Sequence, residues 1–180
     1  GFDKISKISR DLDVYDDVPE LLSVSLGSNE TTLLRLTNAY CSFVNGGKRI
    51  KPTLITRIQD RRGKTIFNFD KRKCEGCELI NIKDDFSPKI VEEKKQIISE
   101  TTAYQMTSIL EGVVKRGTGK KLKVLNVPLA GKTGTTNKNF DAWFIGFTSD
   151  LAIGVYVGYD EPRSLGKYET GSKAALPIFK

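Results

Sequence analysis

The sequence predicts an α/β protein of the α+β type, with an antiparallel sheet packed with helices. Three observations predict it. A strand-like run from Val127 to Ala130 leads into a strand holding Lys132, and strands at Asp141 to Thr148 and Leu151 to Gly158 follow. Their short connections read as an antiparallel meander. Ser99 to Arg116 carries Ala103, Met106, Ile109, Leu110, Val113 and Val114 as one apolar stripe at helical spacing. Leu33, Leu36, Tyr40, Phe43 and Val44 fall on one face of another helix. In the last strand Leu151, Ile153, Val155 and Val157 alternate with Ala152, Gly154, Tyr156 and Gly158. The small residues on that second face would let a helix pack closely.

The remaining elements follow in order. Residues 1–27 are mixed: Val18-Pro19-Glu20 reads as loop, and Leu21 to Gly27 as a short extended segment ending at glycine. Ser28-Asn29-Glu30-Thr31 offers N-cap candidates, and Asn45-Gly46-Gly47 stops the helix. Pro52 to Gln59 reads as a strand, Asp60 to Lys64 as a turn, and Thr65 to Phe69 as the returning strand. A cysteine loop follows, then a polar stretch from Asn81 to Gln96 that is expected to be exposed. Residues 48–97 thus form a hairpin and loop excursion. Gly117-Thr118-Gly119 ends the long helix, and Lys120 to Asn126 connects it to the sheet. Thr136 to Asn139 is a loop, Ser149-Asp150 a tight turn, and Glu161 to Thr170 a longer loop. Ser172 to Leu176 begins a terminal helix.

Composition narrows the function. A chain of 180 residues suffices for one domain with a sizeable core. No apolar run approaches a membrane span. The net charge is +7, but the basic residues are spread along the chain, and the one dense patch, Arg57 to Lys73, surrounds the predicted hairpin turn. No aromatic-basic motif accompanies it, so no nucleic-acid partner is expected. There is no histidine. That excludes a Ser-His-Asp triad within this chain and argues against a zinc site of mixed ligands. No metal and no cofactor are expected. Cys74-Glu75-Gly76-Cys77 could be half a zinc knuckle, a redox pair or a local disulfide. With no second pair, a loop staple in an oxidising compartment is preferred. Cys41 reads as a buried small hydrophobe.

The chemistry concentrates at Gly131-Lys132-Thr133-Gly134-Thr135-Thr136-Asn137, followed by Asp141-Ala142-Trp143-Phe144-Ile145-Gly146-Phe147. On an edge strand, this group can face a cleft. Lys132 supplies positive charge, and the threonines supply hydroxyl donors. Gly134 lets a ligand approach the backbone. Such a set can hold a carboxylate and a developing oxyanion. A phosphate loop is the competing reading of Gly131-Lys132-Thr133. It needs glycine where Asn126 stands, and a helix afterwards, where an aromatic strand-like run follows. The other reading is the Lys-Thr-Gly element of serine acyl-transfer enzymes.

The wider context selects between them. Ser25-Leu26-Gly27-Ser28 with the helix to Gly47 is one matching stretch. Ala103-Tyr104-Gln105-Met106 to Arg116-Gly117-Thr118-Gly119 is a second. Ala130 to Thr136, Asp141 to Asp160, and the ending Ala174-Ala175-Leu176-Pro177-Ile178-Phe179 complete the set. In that order the chain resembles the C-terminal part of the transpeptidase domain of a class A penicillin-binding protein, a bifunctional peptidoglycan synthase. The resemblance implies a partial β-lactamase/transpeptidase-like fold. It implies a serine of S-x-x-K that attacks a D-Ala-D-Ala stem peptide and passes the acyl group to a neighbouring amine. Lys132 would then raise the local potential and bond the serine of an S-x-N motif. Thr133 and Thr135 would hold the substrate's carboxylate, and the Thr135 N–H would be one oxyanion donor. Gly134 and Thr136 would complete the substrate wall. Peptidoglycan stem peptides and β-lactams are the implied partners, and the periplasmic face of the inner membrane the implied location.

One departure shapes the expectation. The family places S-x-x-K and S-x-N before the lysine strand, and neither occurs there. Ser164-Leu165-Gly166-Lys167 comes after it, and Pro162 and Gly166 make it a loop. It is read as a chance match. Residues 1–180 are therefore expected to be the C-terminal portion of such a domain, truncated at both ends and inactive alone. Apolar surface that faces the missing N-terminal half would be open to self-association. A non-catalytic binding module of the same fold is the alternative; an upstream S-x-x-K followed by S-x-N separates the two.

Overall fold

The computed structural model describes residues 1–77, 87–91 and 94–180. They form two compact units, Gly1–Ile50 with Gln96–Lys180, and Lys51–Lys95.

In the first unit, α1 spans Phe2–Asp11 and α2 spans Leu33–Val44. The sequence reading gave residues 1–11 no element, and Phe2, Ile5, Ile8 and Leu12 are the sparse apolar spacing that marked it. The extended segment expected at Leu21 to Gly27 is instead a 3₁₀ turn over Leu22–Leu26, ending at Gly27 with φ +86°. Local bonds explain this: the Val24 N–H donates to the Leu21 carbonyl at 3.0 Å, and the Ser25 hydroxyl donates to the Leu22 carbonyl at 2.6 Å. The N-cap of α2 falls one residue past the candidates. The Thr32 hydroxyl accepts the Arg35 N–H at 3.2 Å. Asn45 caps the end, and Gly46 and Gly47 take positive φ to turn the chain out.

The long helix α3, Glu100–Arg116, agrees with its periodicity. The Ser99 hydroxyl caps it by accepting the Thr102 N–H at 3.1 Å. Of its stripe, Ala103, Leu110 and Val114 are buried, whereas Ile109 is exposed. The expected connection after it is a 3₁₀ helix, Lys120–Leu125, because Leu122 turns inward and is fully buried.

Three strands follow: Ala130–Thr135, Asp141–Phe147 and Ala152–Gly158. They are called the lysine strand, the central strand and the outer strand, and they pair in that order, antiparallel. This is the expected meander. The two faces of the sheet have different cover. On one, Ala142 and Phe144 pack with Val114, Leu122, Leu129, Ala175 and Leu176. On the other, Ala130 and Phe147 pack with Leu110, Tyr40, Phe43 and Val44. The small residues of the outer strand do admit a helix. A Cβ on Gly154 would overlap the Thr37 hydroxyl and approach Leu33 Cδ1 to 2.9 Å, both on α2. The chain ends in a π-turn at Gly171–Ala175 and a short helix, Leu176–Phe179, whose Phe179 ring sits edge-on to Phe144 at 4.7 Å.

The second unit holds two small hairpins. Arg57–Gln59 pairs with Thr65–Asn68, and Lys73–Glu75 pairs with Lys89–Val91. The first strand is shorter than the expected Pro52 to Gln59. Pro52 has no N–H to give a ladder, and the Thr53 hydroxyl takes the Ile55 N–H at 3.2 Å, curling the chain. The polar stretch from Asn81 also differs, since Lys89–Val91 is a strand; residues 81–86 and 92–93 of that stretch lie outside the described residues. Cys74 and Cys77 are joined as a disulfide, the loop staple of the sequence reading. Cys41 lies half-buried on α2, where burial pushes its thiol up.

Candidate functional site

The lysine strand is at the edge of its sheet, and among the described residues no strand pairs with its outer side. One bond fixes which backbone groups face outward. The Thr136 N–H donates to the Asp141 carbonyl, across the ladder, at 3.3 Å. In an antiparallel pair such bonded positions alternate with unbonded ones. Lys132 and Gly134 share the phase of Thr136 and turn their backbone groups toward the central strand. Thr133 and Thr135 have the opposite phase, so their N–H and C=O groups point to the open edge.

The side chains alternate in the other direction. Lys132 and Gly134 lie on the face of Ile145, Trp143 and Tyr156. Near Ala130 and Phe147 this face is core, covered by α2. Toward Gly134 and Tyr156 it opens into a cleft of about 830 Å³. Lys132, Thr133, Gly134, Thr135 and Thr136 all line it, so the structure brings every sequence-predicted site residue to one place. Across from them stand Leu26, Glu30, Leu33, Leu36, Tyr15 and Tyr40. Burial pushes the phenols of Tyr15 and Tyr40 up, which keeps both as neutral O–H groups at neutral pH.

Each hydroxyl of the motif has a partner. The Thr135 hydroxyl accepts the Gly171 N–H at 3.0 Å. The Thr133 and Thr118 hydroxyls share a bond of 2.9 Å. The Thr136 hydroxyl accepts the Asp141 N–H at 3.0 Å, and Asp141 in turn accepts the Trp143 indole N–H at 3.1 Å. The Lys132 ammonium is exposed and donates to the Thr133 carbonyl at 2.6 Å, on the open edge. Gly171 must be glycine for the first of these. A Cβ there would overlap the carbonyls of Gly134 and Trp143.

The far wall is held by charge. Arg35, in the first turn of α2, donates to the Asp13 carbonyl at 2.9 Å and to the Asp16 carboxylate at 2.8 Å. The clamp fixes the turn that carries Tyr15. These hydrogen bonds hold the Asp16 carboxyl below its ordinary range and raise the Arg35 guanidinium.

The sequence reading missed Thr118 and Gly171 as neighbours of the motif. Both were quoted or passed over as helix boundaries, and the signal was only their small size. It also left the cleft's aromatic lining unassigned. The phosphate-loop reading lacks its helix. Gly131-Lys132-Thr133 lies within a strand, and only a 3₁₀ turn at Asn137–Asn139 follows. Ser164 is in the loop, its hydroxyl accepting the Gly166 N–H at 3.2 Å, and does not line the cleft.

A family model described as the penicillin-binding protein transpeptidase domain matches residues 18–180. The chain belongs to the penicillin-binding protein transpeptidase family. Penicillin-binding protein 1A of Rickettsia bellii is 46% identical over 181 residues, covering 99% of this chain and 23% of that relative. Penicillin-binding protein 1A of Pseudomonas aeruginosa is 34% identical, covering 91% of this chain and 24% of that relative. The crystal structure of penicillin-binding protein 1A from Haemophilus influenzae superposes with a TM-score of 0.81 at 26% identity, over 99% of this chain and 30% of that one. The PonA1 protein of Mycobacterium tuberculosis, solved in complex with penicillin V, shares the fold at a TM-score of 0.70 and 20% identity, over 98% of this chain and 47% of that one. The transpeptidase-like fold expected of a mixed helix and antiparallel-sheet chain is thus the observed one. The chain spans under a quarter of the length of these two curated relatives, 23% and 24%. Among the described residues, no helix is long and apolar enough to cross a membrane.

Proposed function

We propose that this chain supplies the lysine-strand wall of a serine D,D-transpeptidase that cross-links peptidoglycan stem peptides and is acylated by penicillins. The observation that carries the reading is the outward phase of Thr135 on an open edge above the cleft. A free N–H there is what a tetrahedral intermediate's oxyanion requires, and one such donor is worth about a hundred- to a thousandfold in rate. Thr133 and Thr135 hold the acyl donor's carboxylate through their hydroxyls. Lys132 supplies the positive field that favours that carboxylate and keeps the serine of an S-x-N motif in its proton relay. Gly134 and Thr136 shape the wall, Gly134 by leaving the backbone accessible.

The nucleophile and the S-x-N serine are supplied by an N-terminal part of the parent domain, so residues 1–180 form its C-terminal portion and do not turn over alone. The parent acts on the extracytoplasmic face of the membrane, anchored outside this stretch. The apolar surface presented to that N-terminal part is the surface through which the chain alone would self-associate.

Fluorescent penicillin tests the reading. The parent chain is expected to label covalently, and Lys132→Ala to slow its acylation by about a hundredfold. Residues 1–180 alone are expected to stay unlabelled. Clear labelling of this chain, abolished by Ser164→Ala, would sink the assignment of an external nucleophile.

A further inference from the structure

We propose that Thr118 is a positioning residue for substrate carboxylate binding, acting through Thr133. The inference rests on the reading that Thr133 grips the acyl donor's carboxylate. A threonine hydroxyl owns one proton and two lone pairs. Thr135 is unambiguous. Its oxygen accepts from the Gly171 backbone N–H, which can only donate, so its own proton stays free for the cleft. Thr133 has a different neighbour. Its oxygen meets the Thr118 hydroxyl at 2.9 Å, and that bond can run in either sense.

The two senses have different consequences. If Thr133 donates to Thr118, its single proton is spent away from the cleft. If Thr118 donates, Thr133 presents its proton as Thr135 does. A carboxylate only accepts. Its arrival therefore selects the sense in which Thr118 donates, and both strand hydroxyls then point their protons at one anion. Bonds of this kind to an ionised group are about twice as strong as neutral ones.

Thr118 itself does not line the cleft. It reaches Thr133 from the turn after α3, and that turn is pinned. The N–H groups of Gly117 and Gly119 both donate to the Val113 carbonyl, each at 3.0 Å. Next to Val113, Val114 is anchored in the core against Phe144. The hydroxyl of Thr118 is thus fixed by the same cluster that supports the sheet.

The experiment uses the complete parent chain and measures acylation by benzylpenicillin and by its methyl ester, which lacks the anionic carboxylate. Thr118→Val is expected to slow acylation by the acid roughly tenfold and by the ester less than about twofold. Thr118→Ser restores the rate. In a Thr133→Val background, Thr118→Val adds no further loss. Equal loss on acid and ester overturns the proposal, because a distorted strand slows both. So does a full-rate Thr118→Val beside a slow Thr133→Val. If Thr133→Val itself acylates normally with the acid, the carboxylate reading fails first and the role of Thr118 with it.

Discussion

The two units use the same local element, an antiparallel strand pair, and reach opposite outcomes. In the sheet of the larger unit, the central strand has a partner on each side and helices on both faces, and Phe144 is 0% exposed. In the Lys51–Lys95 unit every described strand residue but Val91 is exposed, and Leu54 reaches 99% exposure. Hydrogen-bonded pairing is therefore common to both, while burial is not. A two-stranded hairpin has too little apolar area to offset the entropy of ordering its chain. A third strand and a covering helix change that balance.

The largest expected effect sharpens this contrast. Phe144→Ala should cost about 3–5 kcal/mol. Phe67→Ala, in the first hairpin, should cost under about 1 kcal/mol. Chemical denaturation of the chain measures both, and comparable losses would break the comparison. Next comes Gly154→Ala. Its Cβ would push α2 off the outer strand, a loss of about 1–3 kcal/mol, visible as a lower unfolding midpoint. Replacing Cys74 and Cys77 by serine should cost under about 2 kcal/mol, since the disulfide closes a loop with a sequence separation of only 3. Hydrogen exchange should speed up at Lys73–Glu75 and Lys89–Val91 and stay unchanged across the three-stranded sheet. Ser99→Ala removes one helix cap and should cost about 1 kcal/mol, read from the same denaturation curves.

The smallest effect is electrostatic and separates the units most cleanly. Asp70 is held at about 2, first by its side-chain bond to Arg72. Asp16 is lowered mainly by its bond to Arg35. Arg72 is two residues from Asp70, whereas Arg35 is 19 from Asp16. The first pair can persist in an unfolded chain; the second needs the fold. A carboxylate lowered only on folding contributes stability that is fully present above its unfolded pKa of about 4 and is lost as pH falls through the folded value. Asp16→Asn should therefore flatten the acid limb of stability against pH, and Asp70→Asn should leave it in place.

What the sequence made legible follows the same division. The long helix, the meander and the lysine strand could be read because each has a strict period and buries one side. The motif residues could be assembled because Lys132 to Thr136 are contiguous and their strand is an edge. Thr118 and Gly171 could not be found this way. Their bonds to Thr133 and Thr135 span 15 and 36 residues, and nothing local marks a hydroxyl or an N–H for such a partner. The 3₁₀ turn at Leu22–Leu26 was hidden for another reason. Its alternating Leu-Ser-Val-Ser-Leu spacing imitates a strand, while the serine hydroxyl closes the turn.

The π-turn at Gly171–Ala175 makes the end of the chain sensitive to residue count. Such a turn carries one more residue than an α-turn of the same span. Removing any one of Ser172, Lys173 or Ala174 would let the segment rewind as a regular helix and rotate everything after it by about 100°. Leu176 and Phe179 would then leave their places beside Phe144, although no apolar side chain had been altered. A deletion here should thus be far worse tolerated than a substitution at the same position.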